Sequence, residues 1–155
     1  MEFKTNVMRI LDKIKIGYMS YCYTHTSAVS GVDVAAVLNQ EPKQVFKTLV
    51  TSGKSKKYYV FVIPVAEELN LKKAAQNVNE KSIEMIKAKE LLPLTGYVHG
   101  GCSPIGMKKM FITTIDASAA DFDTIIFSAG KIGYQIEIRL DELKKVIDFN
   151  LADVV

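Results

Sequence analysis

Apolar side chains between Val7 and Ile14 recur every three or four positions. This spacing predicts an amphipathic helix over residues 6–16. Thr5 stands where a helix cap is expected, and Gly17 stands where the helix is expected to end.

Shorter apolar runs, bounded by turn residues, predict strands at 18–23, 44–51, 57–64, 109–115, 124–128 and 135–138. Helical spacing predicts further helices at 32–38, 70–76, 81–92 and 140–146, and the first part of 81–92 is also compatible with an extended strand. Because strands and helices do not alternate regularly, a doubly wound parallel sheet is disfavoured. The pattern favours a single α+β domain with a mixed, strongly curved sheet flanked by helices.

Composition narrows the class of protein without deciding its function. The 155 residues are 48% apolar and 24% charged, with a net charge of +3, which is typical of a globular domain rather than a general nucleic-acid binder. No apolar run approaches the roughly 20 residues that span a bilayer, and residues 1–4 lack a secretion signal. Cys22 and Cys102 do not make a disulfide framework. These features predict a cytoplasmic protein.

The segment 96–109 holds four glycines, a proline and two lysines. Such a loop can direct several backbone amides at one carbonyl or phosphate oxygen, with Lys108 and Lys109 adding positive charge. A tight connection between two strands explains the same composition, so both interpretations stand.

No conventional catalytic motif accompanies this loop. A triad of Ser103, His99 and Asp116 can be drawn, but no strand–nucleophile–helix turn surrounds Ser103. No group of side chains has metal-ligand spacing, and no phosphate-binding or dinucleotide motif is present. We therefore expect neither a metal nor a cofactor.

Several segments together resemble the YbaK/EbsC family of aminoacyl-tRNA editing proteins, over the whole chain. The matching segments are Tyr23-Thr24-His25, Gly31, the run 45–50 around Lys47, the loop 96–109 with its Gly100-to-Pro104 spacing, 128–131, and 136–138. The resemblance implies one editing domain over residues 1–155, folded as a distorted mixed barrel flanked by helices. It is greatest to the branch of free-standing Cys-tRNA(Pro) deacylases, which are related to the editing domain of prolyl-tRNA synthetase.

In that branch the thiol of the substrate cysteine attacks the ester, so the protein supplies orientation and charge stabilisation. The resemblance implies cleavage of Cys-tRNA(Pro), with Cys-tRNA(Cys) as a further substrate, and implies binding of the tRNA acceptor end and of prolyl-tRNA synthetase. Lysines 43, 54, 56 and 57 are candidates for a basic rim against the tRNA, or are simply solvated. The oligomeric state is left open.

The family's catalytic roles map onto Lys47, Gly100 and Gly101. Lys47 would hold the acceptor end and the ester, although a lysine in a strand is ordinarily solvated. The amides of Gly100 and Gly101 would meet the ester carbonyl or ribose oxygens, unless the two glycines only form a turn.

Five further residues are candidates for substrate binding: Tyr23, Ser103, Ser128, Gln135 and Glu137. Tyr23 is alternatively half-buried core, and Ser103 alternatively caps its own turn. Gln135 stands where the family tends to have aspartate, so the charge that would face the substrate ammonium is lost. Glu137, two residues on, lies on the same strand face and is a candidate substitute.

Two other functions remain compatible with the sequence. One is a deacylase for another mischarged tRNA, such as Ala-tRNA(Pro), in which water is the nucleophile. The other is an EbsC-like binding or regulatory protein without turnover.

Overall fold

The computed structural model describes residues 3–155. Met1 and Glu2, the first two of the four residues considered for a secretion signal, lie outside the described residues. The helices are α1 (Asn6–Lys13), α2 (Gly31–Val37), α3 (Leu71–Asn77), α4 (Ala88–Thr95) and α5 (Leu140–Leu143). The strands are β1 (Met19–Cys22), β2 (Phe46–Gly53), β3 (Tyr58–Pro64), β4 (Ile83–Met85), β5 (Ile112–Asp116), β6 (Thr124–Ser128), β7 (Tyr134–Arg139) and β8 (Asn150–Ala152).

The strands form two separate sheets. One is antiparallel with the order β1-β7-β6, and the other is mixed with the order β4-β2-β3-β5-β8. Among the described residues, one isolated parallel bridge, between Val45 and Ile126, links them. The sheets are therefore neither closed nor strongly curled, and the predicted barrel-like curvature is wrong. A single bridge cannot continue the ladder, so the first half of β2 keeps a free edge.

Apolar residues on both faces explain why β3 is a nearly continuous hydrophobic run and why β2 does not alternate simply between apolar and polar residues. Phe46 and Val50 on one face of β2 belong to the larger core, whereas Leu49 on the other face packs with Phe61 and Ile63 of β3. A strand covered on both sides loses the simple alternation of apolar and polar residues. This double burial makes a lysine in β2 unusual.

Several predicted boundaries shift for local reasons. Thr5 does cap α1, because its hydroxyl accepts a hydrogen bond from the Met8 N–H at 3.2 Å. The helix ends at Lys13, and Lys15 in the left-handed region (φ 61°) turns the chain before Gly17 is reached. The predicted element at 81–92 splits into β4 and α4, which confirms the extended alternative for its first part. Within residues 3–155, no helix is long and apolar enough to cross a bilayer.

Candidate functional site

A cavity of about 310 Å³ lies along the free edge of β2, between the two sheets. It falls at the small end of the range for small-molecule sites. Five of the eight predicted site residues line it: Tyr23, Lys47, Gly100, Ser128 and Gln135. Its other lining residues are mainly apolar: Val29, Ser30, Gly31, Val32, Val34, Val45, Phe46, Thr48, Leu49, Val65, Leu91, His99 and Cys102.

The wall formed by β2 carries polar groups that have no partner in the protein. Lys47 lines the cavity and takes part in no ion pair within residues 3–155. The hydroxyl of Thr48 is buried and makes no hydrogen bond to any described residue. Since Val65 N–H donates to the Val45 carbonyl, ladder alternation also directs the Thr48 backbone away from β3. This strand edge therefore presents a cation and backbone polar groups, whereas the unpartnered Thr48 hydroxyl is buried.

The opposite wall comes from the three-stranded sheet. Gln135, on the central strand β7, pairs with Ser128 of β6 and Tyr21 of β1. The Ser128 hydroxyl oxygen accepts a hydrogen bond from the Gly130 N–H at 3.1 Å, so its own proton is free to be donated. Tyr23 is 7% exposed and forms part of the wall. Tyr23 is thus buried and also faces the cavity, and its contact with substrate stays a prediction.

Within the glycine loop only one of the two predicted amides is available. Gly100 has φ 88° and lines the cavity, and its N–H donates no hydrogen bond within residues 3–155. Gly101 is buried outside the lining, and its N–H donates to the Val98 carbonyl at 3.0 Å. The predicted role of the Gly101 amide therefore conflicts with the structure, because the turn already uses that donor.

Ser103 and Glu137 also lie outside the cavity lining. Ser103 is 0% exposed, and its hydroxyl oxygen accepts from the Ile105 N–H at 3.3 Å, which is the alternative of a turn cap. Glu137 shares the Gln135 face of β7, but two residues along a strand is a displacement of about 7 Å. It accepts hydrogen bonds from the hydroxyls of Tyr21 and Thr124, and its bond raises the pKa of Tyr21 to about 12. Glu137 therefore does not replace the missing aspartate.

The one cysteine that lines the cavity among the described residues is not an ionised nucleophile. Burial raises the pKa of the Cys102 thiol to about 12, so the thiol stays protonated at neutral pH. The pKa of Cys22 is lowered, chiefly by a hydrogen bond with Thr24, but Cys22 is exposed and does not line the cavity. No aspartate or glutamate lines the cavity among the described residues, and they contain no group of three metal-ligating side chains.

Comparison with known proteins identifies the class of domain. The sequence profile of the aminoacyl-tRNA editing domain matches residues 25–146. The chain belongs to the aminoacyl-tRNA editing family. The expected resemblance to YbaK/EbsC proteins is thereby confirmed.

A relative in this editing family comes from Enterococcus faecalis (strain ATCC 700802 / V583) and carries the name of a Cys-tRNA(Pro)/Cys-tRNA(Cys) deacylase, EbsC. It is 42% identical over 155 residues, which cover 97% of this chain and 93% of the relative.

Solved structures of low sequence identity share the fold. The crystal structure of a hypothetical protein, APE2540, has a TM-score of 0.87 at 20% identity, covering 97% of this chain and 99% of that one. A structure described as a trans-editing enzyme for prolyl-tRNA synthetase has a TM-score of 0.81 at 19% identity, covering 99% and 98%. These likenesses support the single-domain α+β fold of the editing family.

Sequence reasoning missed some members of the lining of this editing domain. Thr48 follows Lys47 directly, but nothing in the sequence indicates that its hydroxyl lacks a partner. The sequence suggests His99 only as a member of a triad, whereas in the structure it lies exposed at the cavity beside Gly100. Its position next to the glycine loop was the available signal.

Proposed function

We propose that the chain is a trans-editing deacylase that cleaves the ester of mischarged Cys-tRNA(Pro), and also of Cys-tRNA(Cys), with the substrate thiol as nucleophile. The observation that carries this proposal is the chemistry of the cavity wall. It offers one lysine, one histidine, hydroxyls and a free amide, with no carboxylate and only a protonated thiol among the described lining residues. Membership of the editing family supports an aminoacyl ester as the substrate class.

The reaction needs no group from the protein to form a covalent bond. The cysteine sulfur attacks its own carbonyl carbon, the S–C bond forms, and the C–O bond to the ribose breaks. The ribose oxygen leaves with the proton that the thiol gave up, and cysteine departs as a four-membered cyclic thioester. Water then opens this ring to free cysteine. A free thiol is a few per cent ionised near pH 7, so the nucleophile is present without a protein base.

Each wall contributes orientation or charge stabilisation. The Lys47 ammonium holds the ester and the terminal nucleotide, and the Gly100 N–H faces the carbonyl oxygen as negative charge develops on it. The Ser128 hydroxyl binds a ribose oxygen. Tyr23 and the valines limit the space around the aminoacyl group, which favours a small side chain.

Recruitment of the tRNA depends on a partner in this proposal. Lysines 54, 56 and 57 lie in the turn beyond the far end of β2, about 23 Å from Lys47 along an extended strand, so they do not extend a basic rim from the cavity mouth. Affinity for tRNA from such dispersed charge is weak and sensitive to salt. Prolyl-tRNA synthetase, holding the tRNA in the cytoplasm, is the partner that the trans-editing relative supports.

A deacylation assay with radiolabelled Cys-, Ala- and Pro-tRNA(Pro) tests the proposal. We expect acceleration of Cys-tRNA(Pro) alone. Comparable acceleration of Ala-tRNA(Pro), which has no thiol, would point to the water mechanism. Acceleration of none of the three would favour the non-catalytic EbsC-like alternative.

A further inference from the structure

Two glutamine side chains from different parts of the fold meet at the cavity wall. The Gln40 Nε2 donates a hydrogen bond to the Gln135 Oε1 at 2.8 Å. Gln135 lines the cavity from β7, whereas Gln40 follows α2 and lies behind the lining. The position that tends to be aspartate in the family is therefore an amide here, and a second amide holds it.

The backbone gives Gln40 a fixed starting point. After α2, Asn39 adopts the left-handed conformation with φ 55°, and the Gln40 N–H then donates to the Ala35 carbonyl at 2.8 Å. The Gln40 Oε1 is buried and has no hydrogen-bond partner within residues 3–155. An unpaired buried oxygen costs about 1–3 kcal/mol, so stability alone does not explain this pair.

The contact determines which end of the Gln135 amide is available. Its carbonyl oxygen is engaged by Gln40, while its NH₂ group donates to no described residue. The NH₂ nitrogen has no partner within residues 3–155 and yet is not fully buried, so part of its surface is accessible. Because the side chain is only 5% exposed and lines the cavity, its accessible NH₂ group faces the cavity.

We propose that Gln40 is a positioning residue that presents the Gln135 NH₂ group, a donor, to the substrate. The inference rests on the proposed deacylase function and defines its substrate class more closely. A donor suits the ester carbonyl or a ribose oxygen and gives nothing to a substrate ammonium, which also only donates. The site should therefore take thiol-bearing acyl esters whether or not they carry a charged α-amino group.

The test compares cysteinyl-tRNA(Pro) with 3-mercaptopropionyl-tRNA(Pro), which keeps the thiol and the ester and lacks only the amino group. Each enzymatic rate is divided by the spontaneous deacylation rate of the same ester, because the two esters differ in intrinsic reactivity. We expect wild-type accelerations within about threefold of each other. A tenfold or greater preference for the cysteinyl ester overturns the inference and leaves the proposed function intact, whereas acceleration of neither ester refutes both.

Two matched variants separate positioning from a merely structural role. In Gln40→Glu the carboxylate only accepts, so it takes the hydrogen bond from the Gln135 NH₂ and turns the carbonyl oxygen toward the cavity. We expect this variant to prefer the cysteinyl ester at least fivefold. Gln40→Met has a side chain of similar length without a polar end, and it should lower the acceleration of both esters severalfold. Its preference for the cysteinyl ester should lie between that of the wild type and that of Gln40→Glu.

Thermal unfolding establishes that each variant is folded before its rates are compared. A folded Gln40→Glu variant with the wild-type preference overturns the inference, since a structural role lowers both rates equally. If that variant does not fold, Gln135→Asp places an acceptor directly in the wall. The same shift toward the cysteinyl ester is then expected, and an unchanged preference overturns the inference.

Discussion

The β2 wall and the glycine loop line the same cavity but differ in how many of their polar groups are paired. In the strand, Lys47 has no ion-pair partner and Thr48 no side-chain hydrogen bond within residues 3–155. In the loop, the Gly101 amide and the Ser103 hydroxyl are used by the loop itself, and of the two predicted amides only that of Gly100 has no partner among the described residues. The Lys47 ammonium and the Gly100 amide are unpaired and accessible at the cavity, so they are available to a ligand, whereas the Thr48 hydroxyl is unpaired but buried. We infer that the strand mainly contacts substrate and the loop mainly holds shape.

The largest expected effect tests whether either region supplies a nucleophile. Serine in place of cysteine on the same tRNA is nearly isosteric, but its hydroxyl is barely ionised near pH 7. We expect Ser-tRNA(Pro) to be deacylated at least about a hundredfold more slowly than Cys-tRNA(Pro) in single-turnover assays. If Ser-tRNA(Pro) inhibits the deacylation of Cys-tRNA(Pro) at concentrations similar to those at which Cys-tRNA(Pro) itself binds, the enzyme still binds the serine ester. Equal rates would mean that water or a protein group attacks.

The next largest effect is expected when Lys47, the lysine of β2, is replaced. Lys47→Ala should lower the kcat/KM for Cys-tRNA(Pro) at least tenfold, which is about 1.4 kcal/mol of transition-state stabilisation. The melting temperature should change little, since the side chain forms no ion pair with described residues.

Lys54→Ala is the matched control, because Lys54 is an exposed lysine in the turn after β2 and does not line the cavity. It should keep wild-type activity. Full activity in a folded Lys47→Ala protein would remove this lysine from the site and reverse the comparison between strand and loop.

Alanine at Gly101 tests the structural role of the loop. A Cβ there would lie 3.0 Å from the Ile132 nitrogen and 3.3 Å from the Lys131 carbonyl carbon, and backbone atoms cannot move aside as a side chain would. Gly101→Ala should destabilise the fold by about 1–3 kcal/mol, seen as a melting temperature lower by about 3–10 °C. The remaining folded protein should keep its activity within threefold.

Gly17→Ala serves as the control for that substitution, because a Cβ at Gly17 meets nothing within 4 Å. Its melting temperature should match the wild type. A Gly101→Ala protein with normal stability and lost activity would restore the substrate-binding role that the sequence predicted for this amide.

Local patterns were sufficient for some elements and insufficient for others. The prediction of a strand at 124–128 matches β6 (Thr124–Ser128) because that apolar run is bounded by turns. The strand β8 (Asn150–Ala152) was missed, since three residues carry little pattern and gain their pairing from β5, which is distant in sequence. The barrel-like curvature failed for a similar reason: sheet closure depends on which edges meet.

The same difference between local and long-range information separates the site residues that the sequence predicts from those that it does not. Lys47, Gly100 and Gln135 were found through resemblance to the family, and the cavity brings them together. Thr48 and Gln40 were not found, because their significance lies in a missing partner and in a contact across 95 residues of sequence. Neither property leaves a trace in the local spacing of residue types.

The smallest expected effect comes from a comparison of two threonines, Thr48 and Thr51, within β2. Thr48→Val removes the unpaired hydroxyl while keeping the side-chain shape, so the free energy of unfolding should be unchanged or slightly higher. The kcat/KM should stay within about threefold of the wild type, because the buried hydroxyl does not reach the cavity surface.

Thr51→Val in the same strand should differ from Thr48→Val in its stability. The Thr51 hydroxyl donates to the Tyr59 carbonyl at 2.9 Å and is fully buried, so its removal should cost about 1 kcal/mol or more of stability and leave activity per folded molecule unchanged. Chemical denaturation and single-turnover rates on the two variants measure both quantities. If Thr48→Val loses stability as Thr51→Val does, its hydroxyl has a structural partner in solution, and the strand wall then resembles the loop. A large fall in kcat/KM in a folded Thr48→Val protein would instead show that this hydroxyl reaches the substrate.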